Sequence, residues 1–286
     1  MEGRRVTKDR VKMIKNLPPL PELSLKIINT MNDPDVSVDD VVKVISVCPT
    51  LVARLLGLAN SAYFGRSVPI NDLRIAIIQV LGLNLVKSLS LSLALNVALD
   101  TQACPSFDSE YYWAKAFLRA VLAQKLADRS NHELLEPNIV YTSALLLDIG
   151  MLVAIYLAPE ELDKMFDLCD KDEQCLNEAI VSYLGEEHYY LGYQLLNRWH
   201  LPEIYKVSFK EFCNNDYSGQ EKPLLGILRL SQRLTVPIMN DEELDLSEYQ
   251  NDLTEFPWLE SKFDAIVEEV VENKQEIQEL ASLISG

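Results

Sequence analysis

Residues 55–65 read LLGLANSAYFG, and this run gives the first clear indication of the architecture. Apolar side chains recur at three- and four-residue steps up to Ala59, which is the spacing of one buried helix face. Asn60 and Gly65 then interrupt the pattern, because asparagine and glycine accept the backbone conformations that end helices. The run therefore predicts a helix that ends in a tight turn.

The same alternation of apolar helix and polar stop continues on both sides of this run. Upstream, one helix begins at Pro21, a second follows a capping box that opens at Ser37, and a third begins at Pro49. Leucine and serine alternate as in a strand between Leu85 and Leu99, but no partner strand accompanies them, so a helix is favoured there as well. The sequence therefore predicts an all-α fold. The predicted downstream helices span Asn71 or Asp72 to Leu81, Leu85 to Leu99, Tyr111 to Ala127, Asn138 to Ile149, Pro159 to Cys169, Glu173 to Leu184, Glu186 to Trp199, Glu203 to Phe212 and Lys222 to Val236.

Size and charge limit the possible classes of function. The chain has 286 residues, of which 48% are hydrophobic, so it can bury the core of one large domain or two modest ones. Its formal net charge of -17 repels phosphate backbones and anionic lipid over most of the surface. General nucleic-acid binding and membrane-surface binding are therefore disfavoured. The acids are densest at residues 240–286, which predicts a separate acidic extension.

One apolar segment, Ile139 to Ala158, has the length of a membrane span. Asp148 lies at its centre, where a charge is costly in lipid, and Gly150 follows it. We therefore expect a buried core helix with a break and no transmembrane segment. The basic N-terminus lacks the apolar region of a secretory signal, so a cytoplasmic protein is expected.

The cysteines indicate neither a disulfide framework nor a zinc site. They are odd in number and form no C-x-x-C pair, which favours reduced thiols that fill the core. The five are Cys48, Cys104, Cys169, Cys175 and Cys213.

Three runs together resemble the HDOD family: LPPLP at 17–21, LLGLANSAYFG at 55–65 and LDIG at 147–150. The resemblance covers about residues 14–236. It implies an all-helical HD-like signalling domain that is related to the HD metal phosphohydrolases, occurs in bacterial regulatory proteins and usually lacks demonstrated catalysis. We expect an N-terminal helical subdomain at 14–100, an HD-like subdomain at 108–236 and the acidic C-terminal helical extension at 237–286. Further matches are Ile70, Ala76-Ile77, Leu81-Gly82, Gly192, Leu195-Leu196, Trp199 and Leu201-Pro202.

Most of the metal ligands that this resemblance implies are missing. An HD phosphohydrolase needs several histidines and aspartates around one or two metals, which activate water and hold phosphoryl oxygens. Leu147 stands where the histidine of the His-Asp pair should be, and a branched alkyl group cannot bind metal. Asp148 and His188 remain as the only plausible remnants, and two ligands rarely hold a catalytic ion. The helix Tyr111–Ala127 offers Trp113 and Lys115 in place of the upstream histidine, and the segment Leu225–Val236 offers Arg229, Ser231, Gln232 and Arg233 in place of the downstream aspartate.

Each remnant has a structural interpretation beside the functional one. Asp148 is either a remnant ligand or a buried acid that neighbouring groups satisfy, and the second is favoured because unpaired burial is costly. His188 is either a ligand or simply a residue at a helix N-terminus, which is favoured. Four basic residues either line an anion pocket in place of the lost metals or lie on solvated faces, which is favoured. They are Lys115, Arg119, Arg229 and Arg233.

The family motif at Asn60, Ser61, Tyr63 and Gly65 also has two interpretations. It could be a loop that binds a partner, or a structural turn that ends a helix and places aromatic side chains in the core. The structural interpretation is favoured.

The acidic extension carries an apolar stripe at heptad spacing. Such a stripe could pair two protomers as a coiled coil, with Asn273 fixing the register, or it could fold back onto the domain. The fold-back is favoured because Val267 and Val271 widen the stripe. Its positions are Leu259, Phe263, Ile266, Val270, Asn273, Ile277, Leu280 and Ile284.

Three functions remain open at this stage. The first is a non-catalytic bacterial regulatory module with no catalytic residue and no cofactor, which binds a signalling protein or a small ligand. The second is a residual metal-dependent phosphohydrolase that uses Asp148, His188 and an unplaced carboxylate such as Glu186 or Glu187, with a divalent metal as its cofactor. The third is an acidic scaffold that forms a homodimer through the C-terminal helix.

Overall fold

The computed structural model describes residues 17, 22–31, 33, 35–61, 64–65, 68–83, 85–87, 89–90, 99, 101–128, 130, 135–170 and 172–285. Within these ranges every regular element is helical, in agreement with the predicted all-α class. Three parts of the sequence interpretation lie outside the described residues: Tyr63, the run at 18–21 and the leucine-serine segment at 91–98.

The described residues of the N-terminal part form four short helices, a π-helical turn and a further helical stretch between residues 85 and 90. Ser37 caps the second helix, because its hydroxyl accepts a hydrogen bond from the backbone nitrogen of Asp40 at 3.2 Å. The described residues between 85 and 90 are helical, as predicted. The bounds are α1 Glu22–Met31, α2 Val38–Ser46, α3 Pro49–Ala59 and α4 Leu73–Ala76, which continues as the π-helical turn Ile77–Leu81.

The larger part of the domain is a helical assembly built around one long helix. Its elements are α5 Ser109–Asp128, α6 Pro137–Leu146, α7 Ile149–Leu157, α8 Pro159–Cys169, α9 Glu173–Leu184, α10 His188–Arg198, α11 Glu203–Lys210, α12 Lys222–Met239, a 3-10 turn Leu246–Tyr249, α13 Gln250–Leu253, α14 Phe263–Glu272 and α15 Lys274–Ser285. Helix α5 is buried almost all round, since α6, α12, α14 and α15 pack against different sides of it.

The apolar segment around Asp148 forms two core helices. Among the described residues, only Pro137–Leu157 is long and apolar enough to cross a membrane, and 83% of its most apolar window is buried inside the protein. The predicted single helix Asn138–Ile149 is interrupted at Leu147 and Asp148, between α6 and α7. Gly150 lies inside α7 and does not form the break that we expected there. The irregular turn thus directs the buried side chain of Asp148 toward groups from several helices.

The C-terminal apolar stripe folds back onto the domain. Its buried side chains, including Phe263, Val270 and Ile277, pack where α14 and α15 contact α5. Asn273 lies between the two helices and is half-buried, and its amide donates to the Glu269 carbonyl at 2.7 Å. The residue therefore ends a helix and does not occupy a buried register position. The side chains of Leu280 and Ile284 lie outside the described part of the chain.

A disulfide bond joins Cys169 and Cys175, so the expectation that all cysteines are reduced is wrong for these two. Helix α8 ends at Cys169, and Asp170 takes a left-handed conformation that reverses the chain into α9. The reversal brings the two Cα atoms to 5.6 Å, within the range that a disulfide requires. Neither the odd count nor the spacing of cysteines reveals such a local turn. Cys48, Cys104 and Cys213 are free thiols.

Candidate functional site

Five structural elements contribute side chains to a polar network around Asp148. This residue lies in the turn between α6 and α7 and is only 3% exposed. Helix α5 contributes Lys115 and Arg119, which lie one turn apart and therefore share a face. Helices α9, α10 and α12 supply the remaining polar side chains.

The two basic residues of α5 both contact one oxygen of Asp148. Arg119 Nη1 lies 2.6 Å from Asp148 Oδ2, and Lys115 Nζ lies 2.9 Å from the same atom. Arg119 Nε also donates to the carbonyl of Ala144 in α6 at 2.8 Å. Because these groups are almost inaccessible to solvent, each contact is stronger than the same contact would be at the surface.

Glu173 and Gln232 close a ring with the two basic residues. Lys115 Nζ lies 2.7 Å from Glu173 Oε1. Gln232 Nε2 donates to Glu173 Oε2 at 3.0 Å, and Gln232 Oε1 accepts from Arg119 Nη1 at 2.6 Å. Two positive and two negative side chains are therefore joined through one amide, and their formal charges balance.

His188 approaches the other oxygen of Asp148. Its Nε2 lies 3.5 Å from Asp148 Oδ1, and its Nδ1 lies 3.1 Å from Asn177 Oδ1. An amide oxygen and a carboxylate oxygen both accept hydrogen bonds, so the imidazole ring lies between two acceptor atoms. His188 is the first residue of α10. It is therefore both a residue at a helix N-terminus and a member of the polar network.

Two glycines allow His188 to come so close. Where α7 and α10 cross, a Cβ atom on Gly150 would collide with the His188 carbonyl and would lie 2.7 Å from the backbone nitrogen of Gly192. A Cβ on Gly192 would lie 3.3 Å from the nitrogen of Gly150. Glycine is therefore required at position 150 by a backbone-to-backbone contact, and this contact places α10 beside the Asp148 turn.

Burial and charge act in opposite directions on Asp148. Burial alone would raise the pKa of this carboxyl group, but Arg119 and Lys115, assisted by His188, hold the pKa well below its usual range. Burial likewise lowers the pKa of Lys115 and Arg119, and the facing carboxylates more than reverse that effect. The network thus keeps Asp148, Lys115 and Arg119 ionised.

The structure divides the four predicted basic contacts into two pairs. Lys115 and Arg119 lie in the site and are buried, so the solvated-face interpretation is wrong for them. Arg229 instead donates to backbone carbonyls that include Phe212 at 2.7 Å, and Arg233 pairs with Asp252 at 2.5 Å. These two residues hold chain segments together outside the Asp148 network, so the alternative that they line an anion pocket does not apply to them.

The described part of the family motif forms a structural turn. Asn60 Nδ2 donates to the carbonyls of Leu56 and Ile70, each at 2.8 Å, and Asn60 Oδ1 accepts from the Ile70 nitrogen at 2.7 Å. Gly65 has a φ of 56°, which favours glycine. Asn60 therefore joins the end of α3 to the backbone of Ile70, with Ser61 at the start of the enclosed turn. Tyr63 is outside the described residues.

Sequence reasoning missed Glu173 and Asn177. Both lie near the N-terminus of α9, four residues apart and hence on one face. Nothing local marks them, because Glu173 is an ordinary acid for a first helical turn. Gln232 does stand in the segment where the resemblance places an aspartate, and that correspondence is the only sequence signal for this part of the ring.

A cleft leads from the surface to the ring. It has a volume of about 330 Å³, and both Lys115 and Glu173 form part of its wall. Aromatic side chains, including Tyr111 and Phe166, line it together with Asp170. A small ligand in this cleft would therefore contact the edge of the network at Lys115.

The residues at Asp148 do not fit the metal ions that an HD-type fold implies. Arg119 and Lys115 already occupy Asp148 Oδ2 at hydrogen-bond distance. A divalent cation at that oxygen would lie next to two fixed positive charges in a poorly solvated position, where repulsion is strong. Glu187, one of the carboxylates considered as a further ligand, instead hydrogen-bonds the thiol of Cys213; burial and this contact raise the pKa of the thiol to about 12.

Comparison with known proteins identifies the family. The sequence model of the HDOD domain family matches residues 17–211. The chain belongs to the HDOD family. An uncharacterized protein of Treponema pallidum (strain Nichols) is 28% identical over 232 residues, which are 80% of this chain and 44% of that protein. This HDOD chain thus spans less than half the length of the curated relative that it matches.

Solved structures share the fold at low sequence identity. A proposed signal transduction protein from Marinobacter aquaeolei VT8 is 23% identical with a TM-score of 0.78, covering 98% of this chain and 66% of that one. A proposed phosphohydrolase from Shewanella amazonensis SB2B is 21% identical with a TM-score of 0.74, covering 96% and 98%. An HDOD domain protein with unknown function from Geobacter sulfurreducens is 22% identical with a TM-score of 0.74, covering 99% of both chains. These likenesses extend the HDOD fold over nearly the whole chain.

Proposed function

We propose that this HDOD chain is a non-catalytic regulatory module of bacterial signal transduction, which acts by binding a partner protein or a small ligand. The observation that carries the proposal is the pair of side chains, Arg119 and Lys115, on Asp148 Oδ2. They supply the positive charge that metal ions supply in an HD phosphohydrolase, but they cannot activate a water molecule as a metal does.

Other properties of the site support a binding role. The network is charge-balanced and closed by hydrogen bonds, so it specifies one arrangement of α5, α9 and α12. The cleft at Lys115 offers a small ligand one way to alter that arrangement, because an anionic group there competes with Glu173 for the ammonium group. A change at this point would break the ion pair that links α9 to α5, and the altered position of α9 could be passed to a partner protein.

We further propose a cytoplasmic location and partners that are neither nucleic acid nor membrane. The net charge of -17 supports the second part, because an acidic surface repels both. The fold-back of α14 and α15 supports a scaffold role less well than a binding role, since the stripe that could pair two chains is buried within this one.

Metal analysis tests the proposal directly. The untagged protein is purified without chelator, equilibrated with manganese or ferrous iron, passed over a desalting column and analysed for bound metal. We expect well below one ion per chain for the wild type and for Asp148→Asn and His188→Gln. One or two ions per wild-type chain, released by either substitution, would overturn the proposal and favour a residual phosphohydrolase. Asp216→Asn is the matched control, because Asp216 is exposed and lies in the turn after α11.

A further inference from the structure

The Cys169–Cys175 bond lies directly beside the Asp148 network. Cys169 is the last residue of α8, and Cys175 lies in the first turn of α9. The cleft residues Asp170 and Glu173 lie between them in the chain. The bond therefore crosslinks the turn that forms one wall of the cleft.

The coexistence of one disulfide with free thiols is typical of a redox-sensitive cysteine pair. Three free thiols accompany the single disulfide, and one of them, Cys213, is exposed. A disulfide framework for an oxidising compartment would leave few thiols unpaired, whereas a reversible pair coexists with free thiols. Cys175 is the half-buried member and Cys169 the buried one, so an external reagent reaches Cys175 first.

Helix α9 connects the disulfide to the site. Glu173 and Asn177 share one face of its N-terminal turns, and they contact Lys115 and His188 respectively. Cys175 lies between them in sequence and is directed toward α8, on the opposite side. The N-terminus of α9 is thus fixed on one side by a covalent bond and on the other by the Asp148 network.

We propose that Cys169 and Cys175 form a reversible thiol–disulfide modification site, through which a low-molecular-weight disulfide or a dithiol oxidoreductase sets how firmly α9 holds Glu173 and Asn177 in the network. The regulatory meaning of this site rests on the proposed function, whereas its redox chemistry does not.

The chemistry is ordinary thiol–disulfide exchange. The Cys175 thiolate attacks one sulfur of the external disulfide, forms a mixed disulfide and expels one thiolate. The Cys169 thiolate then attacks Cys175 Sγ, forms the intramolecular bond and expels the second thiolate. The two cysteines lose two electrons and two protons in all; the external disulfide gains the electrons, and its two thiolates take up the protons. A dithiol reverses the reaction.

The test uses the full wild-type chain in buffers of reduced and oxidised glutathione. Free thiols are alkylated under native conditions and assigned by mass spectrometry, and backbone amide exchange is measured at both redox extremes. We expect Cys169 and Cys175 to convert together as one couple. We also expect amides at 173–177 to exchange about tenfold faster in the reduced protein, while amides of α14 do not change. The imidazole NMR signals of His188 shift between the two states.

Variants separate this site from the other thiols. Cys169→Ser combined with Cys175→Ser matches the reduced wild type in exchange and ignores glutathione, whereas Cys48→Ser combined with Cys213→Ser retains the full response. A pair that stays reduced in every buffer would overturn the proposal. Identical exchange at 173–177 and identical His188 signals in both states would also overturn it. Bound metal in the analysis above would remove the proposed function without changing any of these thiol measurements.

Discussion

Arg119 Nη1 lies 2.6 Å from Asp148 Oδ2, and the two side chains are only 0% and 4% exposed. Removing one member of such a pair leaves an unpaired buried charge, which costs far more than the pair itself contributes. The stability of this HDOD domain therefore depends on keeping the site complete.

We expect Asp148→Asn to lower the free energy of unfolding by about 3–5 kcal/mol, because Arg119 and Lys115 lose their shared carboxylate. Urea denaturation followed by circular dichroism measures the change. Arg119→Met is the second variant of a double-mutant cycle, and the combined variant should be more stable than the sum of the single effects predicts, by at least about 1 kcal/mol. Strictly additive changes in unfolding free energy would contradict a direct contact between Asp148 and Arg119.

The depressed pKa of Asp148 predicts a loss of stability in acid. Its pKa is lower in the folded chain than in the unfolded chain, where it is about 3.9. The stabilisation is therefore complete above that unfolded value and is lost as the pH falls below about 4, through the folded pKa. We expect the urea midpoint of the wild type to fall more steeply in this window than that of Asp148→Asn. Parallel curves for the two proteins would show that Asp148 is not the responsible group.

Glu173→Gln tests the outer part of the ring. The Glu173 side chain is 40% exposed, so solvent screening reduces the value of its ion pair with Lys115, and we expect a loss of about 1 kcal/mol. Glu178→Gln is the matched control on the same helix, because Glu178 is exposed and contacts only the neutral Gln174 among the described hydrogen bonds. The unfolding free energies of both variants are compared at low and high salt. An equal effect of the two substitutions would contradict a role for Glu173 in the network.

Gly150→Ala should be the more damaging of two glycine substitutions. The added methyl group meets the backbone of His188 and Gly192, which cannot move without separating α7 from α10. At Gly192 the methyl group mainly meets the buried ring of Phe209, which is a side chain and not backbone. We expect Gly150→Ala to cost more than about 3 kcal/mol or to prevent folding, and Gly192→Ala to cost less. Thermal denaturation ranks the two, and the reverse order would contradict the close crossing.

Val270→Asp and Val271→Asp test the fold-back of the C-terminal stripe. Val270 is 0% exposed and its neighbour Val271 is 43% exposed. A buried aspartate without a partner is costly, so we expect Val270→Asp to lower stability by several kcal/mol (roughly 3 or more) and Val271→Asp to have little effect. Sedimentation velocity is measured on both. If Val270→Asp stays fully stable and instead converts a dimer to a monomer, the stripe is an interface between chains.

Helix positions were largely predictable because their ends are marked locally. Helices α8 and α9 have the predicted bounds, since Pro159 begins one and Gly185 ends the other. The sequence predicts the break at Gly150, two residues after its true position, because a glycine usually marks the end of a helix and this one instead permits the helix crossing. Amino-acid type alone could not reveal that Arg119 is fully buried, because basic residues on a helix usually face solvent.

The membership of the site was less predictable than the fold. The resemblance identifies Asp148 and His188. It gives Lys115 only as one of two residues, and Gln232 only as one of four, that stand where ligands are missing. Glu173 lies 58 residues from Lys115 in the chain, so no periodicity or local motif joins the two. Their contact depends on tertiary structure, which places the N-terminus of α9 beside Lys115.

The crossing of α7 and α10 at Gly150 and Gly192 depends on backbone contact and not on the polar side chains of the site. These glycines belong to the pattern through which the chain resembles its family, and their role is to let two backbones touch. The two glycines therefore stay necessary when the side chains around Asp148 are substituted, as long as the two helices still cross at this point. Sequence similarity at these two glycines therefore reports how the helices cross and carries no information about the chemistry at Asp148.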